Sequence, residues 1–447
     1  MKTARAHPLS PVLGLMALLF ACAAFADGNL DASFGLAGQV LIERPGVPPT
    51  ADAFPGDVAV LADGKSVWVM ENGASEVIAG RLNRDGSADA SFGNTGQVRL
   101  PSCARRRPTR LLTAPDNAVV IWAGACLVRL DDAGALDPAF GASATSQSTD
   151  TPQQFRAAGL ARDMLGRIVL AGSHGSDWQV WRFLTDGSND IGFGNNGVAS
   201  VANPVGTQQS ELTAMRLRTN GSIVLTGTRN TNFKQNLRLV QLDANGLLDS
   251  GFGTNGITEV APPANFQGLQ PEAIALDRDG SLLVAGNGSQ GTTACCVLIA
   301  RFGSDGALVP ESLHLFSLGP GVSLSPFGET TSALSLLPDG KILLARNSFP
   351  ASLPGENGRT RFTLIRMHAS GALDSSFDLD GWRSYLVTDP TNSGASGAYS
   401  QLHAVAFGQA EALMFGRTFF EDNGPAASYT TLLRVQFDAL YSDDFER

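Results

Sequence analysis

The sequence predicts an all-β fold: a seven-bladed β-propeller of four-stranded antiparallel blades, closed by an N-terminal strand that pairs into the last blade. Three observations carry that expectation. One unit recurs along nearly the whole 447-residue chain, short apolar runs within each unit are separated by turn residues, and the two ends hold complementary pieces of a single unit. With 50 Gly, 23 Pro, 43% hydrophobic and 17% charged residues, the composition is that of a turn-rich, well-cored chain and excludes a disordered or coiled-coil one.

The unit reads apolar strand, tight turn, apolar strand ending near Gly, a variable stretch, then R-x-x-x-[DN]-G-x-L-D-x-S-F-G-x-x-G-x-V. Its Phe falls at Phe34, Phe92, Phe140, Phe193, Phe252 and Phe377. The long last gap hides a degenerate unit in which Val309-Pro310 replaces the Asp-x-Ser-Phe. First strands are expected near Asp57, Arg110, Gly159, Ala214, Ala273, Ala333 and Ala404, which gives the count of seven. Period-2 apolar runs joined by Asp-Gly or Asn-Gly are the pattern of hairpins with turns that need φ > 0. Four strands per unit, repeated around an axis, leave few open sheet edges.

The ends complete the ring. The last strand reaches Arg434 and Asp438-Ala439, where other units continue into Gly-x-Leu-Asp-x-Ser-Phe; that continuation stands at Gly28-Asn29-Leu30-Asp31-Ala32-Ser33-Phe34. Residues 27–40 are thus the expected closing strand of one domain spanning 27–439, followed by a tail at 440–447. Residues 1–26 read as a signal peptide: Lys2 and Arg5, an apolar run from Val12 to Phe20, and Ala24-Phe25-Ala26 as the cleavage site. The segment ending at Cys22 also fits a lipobox, which leaves a lipid anchor on Cys22 as the second option. The mature chain is therefore expected to be exported, periplasmic or extracellular, and monomeric, with no transmembrane segment. Losing Lys2 and Arg5 and no acid takes the formal charge from −10 to −12, which disfavours nucleic acid as a partner.

The Gly-x-Leu-Asp-x-Ser-Phe-Gly-x-x-Gly pattern, with Pro338-Asp339-Gly340-Lys341-Ile342 two strands earlier, resembles the delta-60 repeat, a bacterial propeller-type repeat of uncharacterised function. The resemblance covers essentially the whole mature chain and implies a fold without a chemistry.

Groups that recur in every unit read as scaffold. Arg81, Arg129, Arg182, Arg366 and Arg434 precede the turn with Asp89, Asp137, Asp190, Asp374 and Asp31 opposite; Arg301 has lost its acid, and Gln241 stands opposite Asp249. They are expected as half-exposed ion pairs across the third and fourth strands. Acidic turns such as Asp277-x-Asp279 and Asp378-x-Asp380 lack a calcium loop's further ligands, so no metal is assigned. His174, His314, His368 and His403 show neither metal spacing nor a nucleophile elbow, and no cofactor is called.

Unrepeated features are the candidates, and strand order gathers them on the face that carries the long connections. The basic run Arg105, Arg106, Arg107 and Arg110 enters a first strand in an otherwise acidic protein and suits a carboxylate, sulfate or phosphate group, or is a solvated loop pinned by a Cys103–Cys126 disulfide. Cys295 and Cys296 form a vicinal pair just before a third strand, bridged or as two thiols. The function expected is a binding scaffold for a protein, glycan or envelope component, with an enzyme in the channel, lactonase-like hydrolase or quinoprotein-type oxidoreductase, as the alternative.

Overall fold

A computed structural model describes residues 28–42, 54–72, 76–100, 109–124, 126–140, 146–147, 155–204, 207, 209–291, 293–318, 322–324, 333–350, 360–388, 399–408, 410–420 and 427–437. Among them every regular element is a strand, arranged as a β-propeller, and no helix is long and apolar enough to cross a membrane. Arg105, Arg106, Arg107, Cys103, Cys22 and residues 1–27 lie outside the described residues.

The strands form antiparallel four-strand meanders. In the first, Phe54–Val60, Ser66–Glu71, Val77–Leu82 and Gln97–Leu100 pair in chain order. Among the described residues the hydrogen-bonded sheets number six rather than seven, because one has eight strands. It consists of two meanders, residues 209–260 and 268–316, tied by a single parallel pair between Gln235 and Gly268. Buried clusters fill the spaces between successive meanders. One of them, with Leu237, Leu239 and Phe252 against Ile274, Val284 and Leu298, lies between the two halves of that sheet.

The ends meet as expected. Asn29–Leu30 and Gln39–Ile42 both pair antiparallel with Ala427–Gln436, Val40 opposite Leu432 and Leu30 opposite Val435. Gly28 adopts φ 83°, and the Phe377 ring lies where a Cβ would go. The same fit recurs between Gly86 and Phe34 and between Gly246 and Phe193, so each motif Phe packs under the turn glycine of the next unit. In the degenerate unit His314 occupies that place under Gly371.

Four of the recurrent ion pairs are largely buried rather than half-exposed. Arg81 donates to Asp89 at 2.7 Å, Arg182 to Asp190 at 2.7 Å, Arg366 to Asp374 at 2.8 Å, and Arg434 to Asp31 at 2.7 Å across the closure. Each guanidinium also lies 4.3–4.8 Å over its motif Phe, at Phe92, Phe193, Phe377 and Phe34. The other carboxylate oxygen accepts the backbone N–H and hydroxyl of the Ser two residues on, as at Ser91, Ser376 and Ser33. The Asp-x-Ser-Phe motif is therefore one packed object: turn cap, ion pair and cation–π stack. Arg129 is looser, 3.6 Å from Asp137, because it turns to Asp116 at 2.5 Å.

First strands begin before the residues that alternation singles out: Phe54, Arg156, Gln209, Gly268 and Tyr399. In these five a register shift inserts one residue, Gly56, Ala158, Thr213, Glu272 or His403. A bulge breaks the two-residue period, so the apolar pattern reports only the half of each strand beyond it.

Candidate functional site

Register gives each first strand a common ruler. Four rungs up from the first turn stand Asp57, Arg110, Gly159, Ala214, Ala273, Ala333 and Ala404, paired with Val69, Trp122, Ala171, Thr226, Ala285, Ala345 and Phe415. Five carry Gly or Ala. The other two, on adjacent sheets, carry opposite charges. Asp57 Oδ1 accepts the Val58 N–H at 2.9 Å, and its Oδ2 accepts the Leu111 N–H of the next sheet at 3.2 Å. Burial pushes its carboxyl above the usual range against the nearby Arg110 charge and these two N–H groups. Burial likewise disfavours the Arg110 cation, which the Asp57 charge supports and whose Nη1 donates to the Thr109 carbonyl at 3.0 Å.

A second break in the repeat lies on the neighbouring rung of the second strands. Gly172, Gly227, Gly286 and Gly416 stand there because an added Cβ would strike the first-strand carbonyls of Arg156, Glu211, Gln270 and Gln401. The sixth unit has Arg346 instead. Its described first-strand residues form two pieces, Val322–Leu324 and Ala333–Leu336, and none of them pairs with Arg346, which pairs with Thr363 on the third strand. The guanidinium, 0% exposed, donates from Nη2 to Asn287 Oδ1 at 2.5 Å, and Asn287 Nδ2 donates to Glu272 Oε1 at 2.6 Å. Nη1 is buried, with no hydrogen-bond partner among the described residues. Burial disfavours this cation too, with Glu272 as its main electrostatic support.

Of the residues expected from sequence, Arg110 therefore stands on a first strand beside an acid. Cys126 is buried at the start of Cys126–Leu130. Cys295 and Cys296 lie inside the strand Thr293–Phe302 rather than before it, with Sγ atoms 2.6 Å apart. Among the described residues no group of three His, Cys, Asp or Glu side chains is placed to hold a metal. Sequence reasoning passed over Asp57 as a functional group and missed Arg346, Glu272 and Asn287. The signal was present: a charge at a rung where five other units have Gly or Ala, and an Arg at a rung where four others have Gly and two have Met70 and Ala123. The arrangement offers a partly desolvated carboxyl and guanidinium side by side on the strands that line the ring.

A family model described as a domain of unknown function (DUF5122) beta-propeller matches residues 218–252 and 337–377. No curated protein matches the chain. Similar solved structures include a catalytically inactive virginiamycin B lyase from Staphylococcus aureus with quinupristin, at 12% identity and TM-score 0.45, covering 88% of this chain and 98% of that one. The polysaccharide lyase Uly1 aligns at 10% identity and TM-score 0.49, covering 86% and 90%. A gluconolactonase from Xanthomonas campestris aligns at 13% identity and TM-score 0.37, covering 89% and 99%. Likenesses this distant bear on neither chemistry nor ligand. What this chain shares with the matched family model is a β-propeller repeat.

Proposed function

We propose that the protein is an exported seven-bladed scaffold that binds an anionic group of a glycan, protein or envelope component at its long-connection face. The observation that supports this is Arg110, an unrepeated cation at a Gly/Ala rung, which follows Arg105, Arg106 and Arg107 in the sequence. The blade count rests on treating the eight-stranded sheet as two blades, which the cluster between its halves favours. Export by cleavage after Ala26, with lipidation at Cys22 as the variant, a Cys103–Cys126 disulfide and a monomeric state belong to the same reading. Intact mass and light scattering of the secreted protein test them.

The binding test uses uronate and sulfated oligosaccharides as probes in calorimetric titration. A triple Arg105→Ala, Arg106→Ala, Arg107→Ala variant should bind at least about tenfold more weakly, the ~1.4 kcal/mol expected from losing charge-assisted contacts. Unchanged affinity refutes the reading. The alternative, an enzyme of lactonase-like hydrolase or quinoprotein type working in the channel, draws on the raised Asp57 carboxyl beside Arg110. Lactone hydrolysis that disappears in Asp57→Asn would favour it over the scaffold.

A further inference from the structure

We propose that Cys295 and Cys296 form a thiol–disulfide modification site, closing to a vicinal disulfide by exchange with an external disulfide. In a regular strand, adjacent side chains point to opposite faces and their sulfurs cannot touch. Here Gly288 pairs with Cys296 and Ser289 with Ala294, so Cys295 is the extra residue of a bulge that brings both thiols together. The sulfurs stand 2.6 Å apart, and Cys295 Sγ also lies 3.4 Å from the Gly288 carbonyl. Gly288 leaves the room: a Cβ there would collide with Cys296 Sγ. Cys295 is half-buried and Cys296 buried, the latter two rungs from the hairpin end at Gln290 and Thr293.

That asymmetry sets the order of events. Burial, and then the neighbouring Cys295 thiol, push the Cys296 thiol up to about 12, so the more exposed Cys295 attacks first. Its thiolate displaces one thiolate from the external disulfide and forms a mixed disulfide. Cys296 then loses its proton and attacks the Cys295 sulfur, expelling the second thiolate. The pair gives up two electrons and two protons, and the external disulfide becomes two thiols.

The test treats the full chain with excess oxidised glutathione, blocks free thiols with iodoacetamide and digests with trypsin. The fragment from Asp279 to Arg301 contains no other cysteine. It should emerge two hydrogens lighter and unalkylated, and take up two alkyl groups only after reduction. Cys296→Ser should stall with one glutathione on Cys295. A wild-type fragment alkylated twice before reduction, carrying two glutathiones, or linked to Cys103 or Cys126 overturns the proposal, and that readout does not depend on the variant folding.

Discussion

Replacing Arg434 by Met tests whether the ring is locked where its ends meet. Arg434 and Asp31 are each 4% exposed, and the pair joins the C-terminal strand to the turn that follows the N-terminal one. The guanidinium also donates to the Arg84 carbonyl of the next unit and lies over Phe34. Met preserves much of the contact with Phe34 but strands a buried carboxylate, which costs about 3–5 kcal/mol. Arg129→Met is the internal control. Its side chain is 28% exposed, its motif acid is 3.6 Å away, and its nearer partner Asp116 is 56% exposed; loss of such a pair costs about 0–1 kcal/mol. At roughly 1 °C per kcal/mol for a chain of this size, scanning calorimetry should show a drop of about 3–5 °C for Arg434→Met and about 1 °C or less for Arg129→Met. Equal shifts, or less than about 1 °C for Arg434→Met, would refute the idea that burial makes the closing pair decisive.

Acid sensitivity follows from the same pairs. At Asp31, Asp89 and Asp374 burial alone would raise the carboxyl, but Ser hydrogen bonds and cationic neighbours outweigh it and hold each below the usual range. A depressed folded-state pKa contributes stability above the unfolded value of about 3.9, lost as pH falls through the folded one. Urea midpoints should therefore stay level from neutral pH to about 5 and fall steeply below about 4; a midpoint unchanged at pH 3 contradicts the assignment. Gly227→Ala should cost on the order of 1–3 kcal/mol, because its Cβ would strike the Glu211 carbonyl and the Trp178 ring. Gly192→Ala, with only the Asp190 carboxylate near, should change stability by about 0.5 kcal/mol or less, read by the same urea titration.

Much of the architecture was legible in the sequence because a repeat supplies its own controls. The spacing of Phe34, Phe92 and Phe193, the Arg and Asp eight residues apart, and the permuted ends all mark local turns and hairpins, whose chemistry lies within a few residues. The bulges at Gly56, Thr213 and Glu272 were not legible, because an inserted residue erases the alternation that would reveal it. For the same reason Cys295 and Cys296 looked like residues preceding a strand, when the strand begins at Thr293.

The sequence by itself determined that the chain folds into repeated antiparallel meanders and that its ends complement one another, since hairpin turns and strand period are local properties. Only the tertiary structure decided what stands beside what. It set Asp57 against Arg110 and Arg346 against Asn287 and Glu272, residues 53 and 59–74 positions apart. It also decided that four of the recurrent ion pairs are buried and that of Arg129 is not, because burial depends on the next unit packing over them and no residue within one unit encodes that neighbour's distance.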